Sequence, residues 1–409
     1  MKLLFRVFCA LALTVLVTVS AAAGFTDDAQ IQNRAAVAFL SDLGLVNGYP
    51  DGSFRPGLNV RRGEAAKLAA MICEEAPTPM QHAPYEDVPE AHWAAPHIDY
   101  CTEKGIVSGE GGRFRPDGFL TGRELAKILL ACVGFDGRQY TGKDWAAAVD
   151  RDANRLGIYT GIATDPAAII SRDNVCRMIY NAIQCPAVIG KAKSGEPVYA
   201  TDALLNPITY MEHRFRVIKF TGVVTGNEYA DLTREDACLE RGQTVLQGHA
   251  PFPVSTGYSA LGRTAELTAT RTVVGNDVFY NVLGIPAIVP TEEIFSVNGS
   301  EAYASILRYA NISVNAETEY YLDGNRDSQD FLIRLEEDCV ITGIDRDGNG
   351  VLDAVLAYNY HRGTVLSAEP LRVFVGDGQY PAVLCGVDSV TEGGECRCLQ
   401  LGGTYYIVP

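Results

Sequence analysis

Residues 44–56 read GLVNGYPDGSFRP, and residues 105–116 read GIVSGEGGRFRP. Each stretch runs into a helix start, NVRRGEAAKLAAMIC at 59–73 and FLTGRELAKILLAC at 119–132. Phe54 and Phe114 lie 60 residues apart, and so do Glu64 and Glu124. Upstream, Phe25-Thr26-Asp27 recurs as Tyr85-Glu86-Asp87 at the same offset. Chemically distinct positions recurring in register identify a duplicated unit. A third, eroded copy follows at an offset of 52: Trp93-Ala94-Ala95-Pro96 recurs as Trp145-Ala146-Ala147-Ala148, and Gly105-Ile106 as Gly157-Ile158. Its second helix begins near Ser171, a residue suited to an N-cap.

Local chemistry predicts two helices per unit. Ile31, Ala35, Ala38 and Phe39 follow a 3.6-residue period, and Gly44 offers a stop. Gly48 and the pairs Asp51-Gly52 and Gly111-Gly112 let the backbone turn, and Pro56 and Pro116 keep the next segment from continuing a helix. Thr121 with Glu124 has the form of a capping box, and Glu64 stands in the corresponding place. A unit of this size buries too little apolar surface to stand alone. Packing three around a shared axis meets that need, so residues 25–190 are expected to form one helical domain.

The start, MKLLFRVFCALALTVLVTVSAAAG, has the layout of a secretory signal peptide over residues 1–23: Lys2 and Arg6, an apolar stretch, then small residues. The chain has 409 residues, 34 basic and 50 acidic side chains and a net charge of −16. That balance argues against nucleic acid as a partner, and no later apolar run reaches the roughly 20 residues of a membrane-spanning helix. Cys73, Cys132 and Cys176 sit in helical, apolar patterns and read as buried thiols. Cys385, Cys396 and Cys398 are the better candidates for a crosslink.

The repeats resemble the surface-layer homology family of bacterial envelope proteins. The first copy, at 24–76, is similar through Phe25 and Asp27, the turn at 48–56, and the tetrad Arg61-Arg62-Gly63-Glu64. The second, at 77–138, is similar through Tyr85 and Asp87, His92-Trp93-Ala94, Phe114-Arg115-Pro116 and Thr121-Gly122-Arg123-Glu124. The third, at 139–190, keeps mainly Trp145, Gly157-Ile158 and Ser171-Arg172-Asp173-Asn174. The resemblance implies an all-α pseudo-threefold prism. It also implies noncovalent binding of a secondary cell-wall polysaccharide, often pyruvylated, in grooves between modules. The departures matter: Gly122 stands where the family has arginine, and Asn174 stands in the glutamate place, so at least one groove is expected to be structural only.

A carboxylated sugar needs fixed positive charge, and a guanidinium fork engages both carboxylate oxygens. Arg62, Arg123 and Arg172 fall at the starts of second helices, where unpaired backbone N–H groups favour an anion. Arg55 and Arg115 lie by the same turns, Trp93 is either a core wedge or a stacking face for a sugar ring, and Asp27 and Asp87 are either turn caps or acceptors for sugar hydroxyls.

From residue 191 the pattern changes. Residues 191–210 read as a linker, and runs such as FRVIKFTGVVTG at 215–226 and LRVFVG at 371–376 predict a β-rich domain at 211–300 and, at 301–409, a second β-rich domain or a continuation of the first, as one or two small barrels or sandwiches. KFTGVVTGNEYADLT and GQTVLQG are similar to segments found after such repeats in clostridial-type envelope proteins. Asp345, Asp347, Asn349 and Asp353 space oxygens like the start of a calcium loop, but Leu356 replaces its bidentate glutamate, and an Asp/Gly hairpin turn is the better reading. No catalytic motif is recognisable and no other cofactor is expected. The sequence reads as a wall anchor, with a glycan or peptidoglycan hydrolase in residues 200–409 as the alternative; the acidic runs Glu292-Glu293 and Glu336-Glu337-Asp338 read better as solvated turns or edges.

Overall fold

The computed structural model describes residues 24–73 and 85–408, apart from 236, 276, 311, 386, 388, 402 and 403. The signal-peptide segment and the boundary expected at 76/77 fall outside these residues. The chain divides into two compact units at Arg214/Phe215.

The first unit holds three helix pairs: α1 (Arg34–Asp42) with α2 (Arg62–Cys73), α3 (Ala95–Glu103) with α4 (Gly122–Cys132), and α5 (Trp145–Arg155) with α6 (Arg172–Ile183). The extended residues ahead of α2, α4 and α6 close a ring. Val60 N–H donates to Ile170 C=O, Ile170 N–H to Leu120 C=O, and Leu120 N–H to Val60 C=O, at 3.0–3.2 Å. All three side chains are buried on the common axis. Each second helix also feeds its first N–H groups to a neighbouring turn: Arg62 and Gly63 to Gly118 and Pro116, Gly122 and Arg123 to Ala168 and Pro166, Arg172 and Asp173 to Leu58 and Pro56. These are donors a helix start leaves unsatisfied. The expectation that they await an anion is therefore corrected: the first two N–H groups of each of these helices are taken by carbonyls.

The all-α expectation is corrected as well. Short β-bridges join Asn59 to Ser171, Arg61 to Phe119, and Thr121 to Ile169. The segment expected as a linker folds back as a hairpin of β1 (Val188–Lys191) and β2 (Pro197–Tyr199), followed by α7 (Tyr210–Phe215). Val188, Ala200, Tyr210 and Met211 are buried, and the Tyr210 hydroxyl donates to Ile72 C=O at 3.2 Å. Apolar side chains that gain cover hold this segment in place.

In the second unit, β3 (Val217–Asn227), β4 (Thr244–Leu246), β5 (Thr264–Val274) and β6 (Asp277–Ile288) form an antiparallel sheet in the order β4-β3-β5-β6. The larger sheet is organised around the 15-residue strand β11 (Ala354–Ala368). Its first half pairs with β8 (Glu319–Leu322) and β10 (Cys339–Ile344); β8 pairs on with β9 (Asn325–Asp327), and β10 with β7 (Glu293–Asn298). Its second half closes a five-stranded barrel through β12 (Leu371–Val375), β13 (Gly378–Leu384), β15 (Thr404–Val408) and β14 (Glu395–Leu401), which pairs back with β11. Val365, Val373, Cys398 and Ile407 fill the barrel. Val224, Leu246 and Leu267 share another core with Leu356, Leu399 and Tyr406. That shared core crosses residue 300, where the sequence suggested a boundary. None of the ten described cysteines is in a disulfide, and the Cys396 and Cys398 Sγ atoms lie 3.7 Å apart.

Candidate binding grooves

Each repeated turn is built by its aromatic-x-Asp opening. Asp27 accepts from the Phe54 and Arg55 N–H groups at 2.7 Å, and Asp87 from those of Phe114 and Arg115 at 2.8 Å. These bonds hold Arg55 (φ 57°) and Arg115 (φ 59°) in the left-handed region. The aromatic partner lies against the turn glycine: a Cβ on Gly48 would come within 2.7 Å of Phe25, and one on Gly109 within 2.3 Å of Tyr85. Asp27 and Asp87 thus clamp turns. Backbone bonds to Phe54 hold the Asp27 carboxyl below the ordinary value. At Asp87, burial pushes upward, but the bonds from Phe114 and Arg115 prevail.

Two equivalent grooves lie between helix pairs. One, of about 210 Å³, is lined by Arg62, Ser108, Glu124, Lys127, Ile128 and Trp145. The other, of about 320 Å³, presents Arg172, Asn47, Glu64, Lys67, Leu68 and Trp93 in the corresponding places. In both, a guanidinium crosses to the next turn. Arg62 lies 4.7 Å from the Phe114 ring centre and donates to Ser108 C=O at 3.1 Å; Arg172 lies 4.6 Å from Phe54 and donates to Asn47 C=O at 2.5 Å.

The two arginines differ in what else they meet. Arg62 also donates to Phe114 C=O at 2.9 Å and pairs with Glu124 at 3.0 Å, so its fork is occupied. The Arg172 Nε atom is buried and has no hydrogen-bond partner among the described residues. Burial and the Arg62 guanidinium hold the Lys127 ammonium below the usual lysine value, with Glu124 acting the other way. Trp93 is 55% exposed, stacked on His92 and against Gly63. A wedge in the core would be covered; this indole is an open wall of its groove.

The third junction is different. Gly122 occupies the place of Arg62 and Arg172, and a Cβ there would sit 3.3 Å from Pro166 C=O. Arg123, one position on, turns to Asp150, with Nη2 at 2.7 Å. Tyr159 donates to the same carboxylate at 2.9 Å. Burial alone would raise the Asp150 pKa, but these partners lower it. The structure therefore does not bring Arg123 together with Arg62 and Arg172 as a groove cation.

The remaining predicted residues serve the turns. Arg55 pairs with Asp51 at 2.8 Å and stacks 4.2 Å from Tyr49, and the Arg115 side chain lines neither groove. Glu64 accepts from the Arg61 N–H, and Thr121 with Glu124 forms the full capping box. Gly52 takes φ +79° and its carbonyl receives the Thr26 N–H; Pro56 and Pro116 receive helix-start N–H groups. Sequence reasoning missed Lys67, Lys127 and the groove position of Trp145. Glu64-x-x-Lys67 and Glu124-x-x-Lys127 share the same spacing, which was the available signal.

In the second unit, Asp345, Asp347 and Asp353 bring carboxylate oxygens within 4.8 Å of one another. The hairpin turn uses them: Asp345 accepts from Gly348 and Gly350, Asp347 from Asn349, and Asp353 from the Arg346 N–H. The Asn349 oxygen is taken by Val351. Three residues of the acidic runs are engaged too, Glu292 by the Thr264 N–H, Glu293 by Arg263 and Asp338 by Arg397.

Residues 24–66 and 84–126 match the S-layer homology domain. Cell surface glycoprotein 1 of Acetivibrio thermocellus is 40% identical over 88 residues, 21% of this chain and 4% of that protein. The cellulosome-anchoring protein of the same organism is 34% identical over 104 residues, 24% of this chain and 23% of the relative. An uncharacterized cell wall amidase of Bacillus anthracis is 27% identical over 146 residues, 33% of this chain and 27% of the relative. The chain thus spans about a quarter or less of the length of these relatives. No helix among the described residues is long and apolar enough to cross a membrane.

Proposed function

We propose that this chain, a secreted cell-surface protein carrying S-layer homology domains, holds to the bacterial cell wall by gripping a carboxylated secondary wall polysaccharide between its helix pairs. The observation that carries this reading is the Arg172 groove. It combines a guanidinium with a buried donor to spare, Lys67 beside it, and the exposed face of Trp93. A pyruvate ketal on a sugar presents that combination of charge and ring: a carboxylate for the fork and an apolar face for the indole. The Arg62 groove repeats the arrangement with its arginine already paired, and is the weaker of the two. The junction at Gly122 is structural.

The β-rich unit is the module presented outward, with a structural or adhesive role and no catalysis. Glu292, Glu293 and Asp338 of its acidic runs are bound into the fold, which supports this reading over a hydrolase. The test is co-sedimentation of the protein with purified wall sacculi. Retention by intact sacculi, lost after the secondary polysaccharide is extracted, is the expected result. Equal retention by stripped sacculi overturns the reading.

A further inference from the structure

Residues 215–409 hold 13 basic and 26 acidic side chains, yet three of those arginines converge on one cleft. The cleft has a volume of about 790 Å³, the size range of small-molecule sites. Val223, Leu232 and Val245 give it an apolar side, and Arg234, Arg326 and Arg346 a cationic one.

Arg346 is fixed at both ends. Its backbone N–H donates to Asp353 at 2.6 Å, and Nε and Nη2 both donate to Gly262 C=O at 3.2 and 2.6 Å. Its charge thus meets a carbonyl dipole in place of a carboxylate. Arg326, on β9, pairs with Glu319 of β8 at 3.4 Å, and Arg234 pairs with Asp231 at 2.7 Å. These two side chains are 68% and 62% exposed and keep further donors for a ligand. Buried Tyr321 stands among them: burial and then Glu319 push its phenol up to about 12, while Arg326 and Arg346 act in the opposite sense.

We propose that this cleft binds a carboxylated oligosaccharide, with carboxylates on Arg346 and Arg326 and hydroxyls on Thr225, Gln247 and Glu235. Rigid guanidinium forks suit planar carboxylates. The interspersed Glu235 and Glu319 disfavour a densely charged phosphate polymer, and they accept hydroxyl hydrogen bonds. The apolar side suits the C–H face of a sugar ring. This site is independent of the wall-anchoring grooves.

The experiment is calorimetric titration of the full chain, in an Arg62→Ala/Arg172→Ala background that silences the grooves, with trigalacturonic acid. Maltotriose serves as the neutral control and inorganic phosphate as a competitor. Saturable 1:1 binding is expected, at least tenfold tighter than maltotriose and weakened at least fivefold by Arg326→Ala and by Arg346→Ala. Added salt weakens it further. Thermal melts check that each variant is folded, and the exposed Arg326 supplies a variant whose loss leaves the core untouched. Absence of saturable binding, indifference to both arginines, or phosphate competing as well as the uronate would overturn the proposal.

Discussion

Asp87 spends its carboxylate on two backbone N–H groups, and that use makes a prediction at the scale of one residue. Asp87→Ala strands the Phe114 and Arg115 donors and lowers stability by about 1–3 kcal/mol, read from a urea midpoint. Its carboxyl is held below the ordinary value, so its contribution is present above the unfolded aspartate pKa and lost as pH falls through the lower folded one. Asp87→Asn should therefore flatten the acid limb of the stability profile. The groove arginines separate in the same way. Arg62→Ala removes a strut of three hydrogen bonds and costs about 1–3 kcal/mol in the urea midpoint. Arg172→Ala loses less stability but more wall retention in co-sedimentation. The reverse order would assign the ligand to the Arg62 groove.

At the scale of the element, the turn and its opening strand are one device. The aromatic ring fills the space that the glycine leaves, and the aspartate fixes the two residues after it. Gly109→Ala would drive a methyl group into the Tyr85 ring and toward Arg113 C=O, at 2.3 and 2.4 Å, so it should destabilise by about 1–3 kcal/mol or more. Gly48→Ala meets mainly the Phe25 ring, at 2.7 Å, and should cost less. Paired thermal melts of the two variants check the order. The capping box at Thr121 and Glu124 was legible because N-cap chemistry is local. The fate of the helix-start N–H groups was not, because their acceptors lie 43 to 117 residues away and only the closed ring supplies them.

At the scale of the molecule, charge in the grooves sets a pH dependence. Lys127 carries its proton less firmly than an ordinary lysine because it is half-buried and faces Arg62. As pH rises, it loses its charge before an ordinary lysine does, and the groove it lines should release a carboxylated ligand on the alkaline side while the arginines stay charged. Titrating wall retention against pH, in the Arg172→Ala background that leaves only this groove, checks the sign. Lys127→Arg should move the loss to higher pH.

The sequence alone determined the repeat, its turns, its caps and the change to β structure at the second half, because each rests on contacts within a few residues or on periodicity. It also pointed to Arg62 and Arg172 by their position at helix starts. The tertiary structure decided which cations remain available. Arg123 was lost to Asp150 because Gly122 shifts the arginine by one position, about 100° around the helix, onto a different face. Lys67 and Lys127 joined the grooves because the ring brings the preceding repeat's arginine and the next repeat's tryptophan onto the helix that carries each lysine. The segment read as a linker packs into the first unit, and residues on both sides of 300 share one core, as the continuation that the sequence left open would have them, because buried apolar side chains far apart in sequence cover one another.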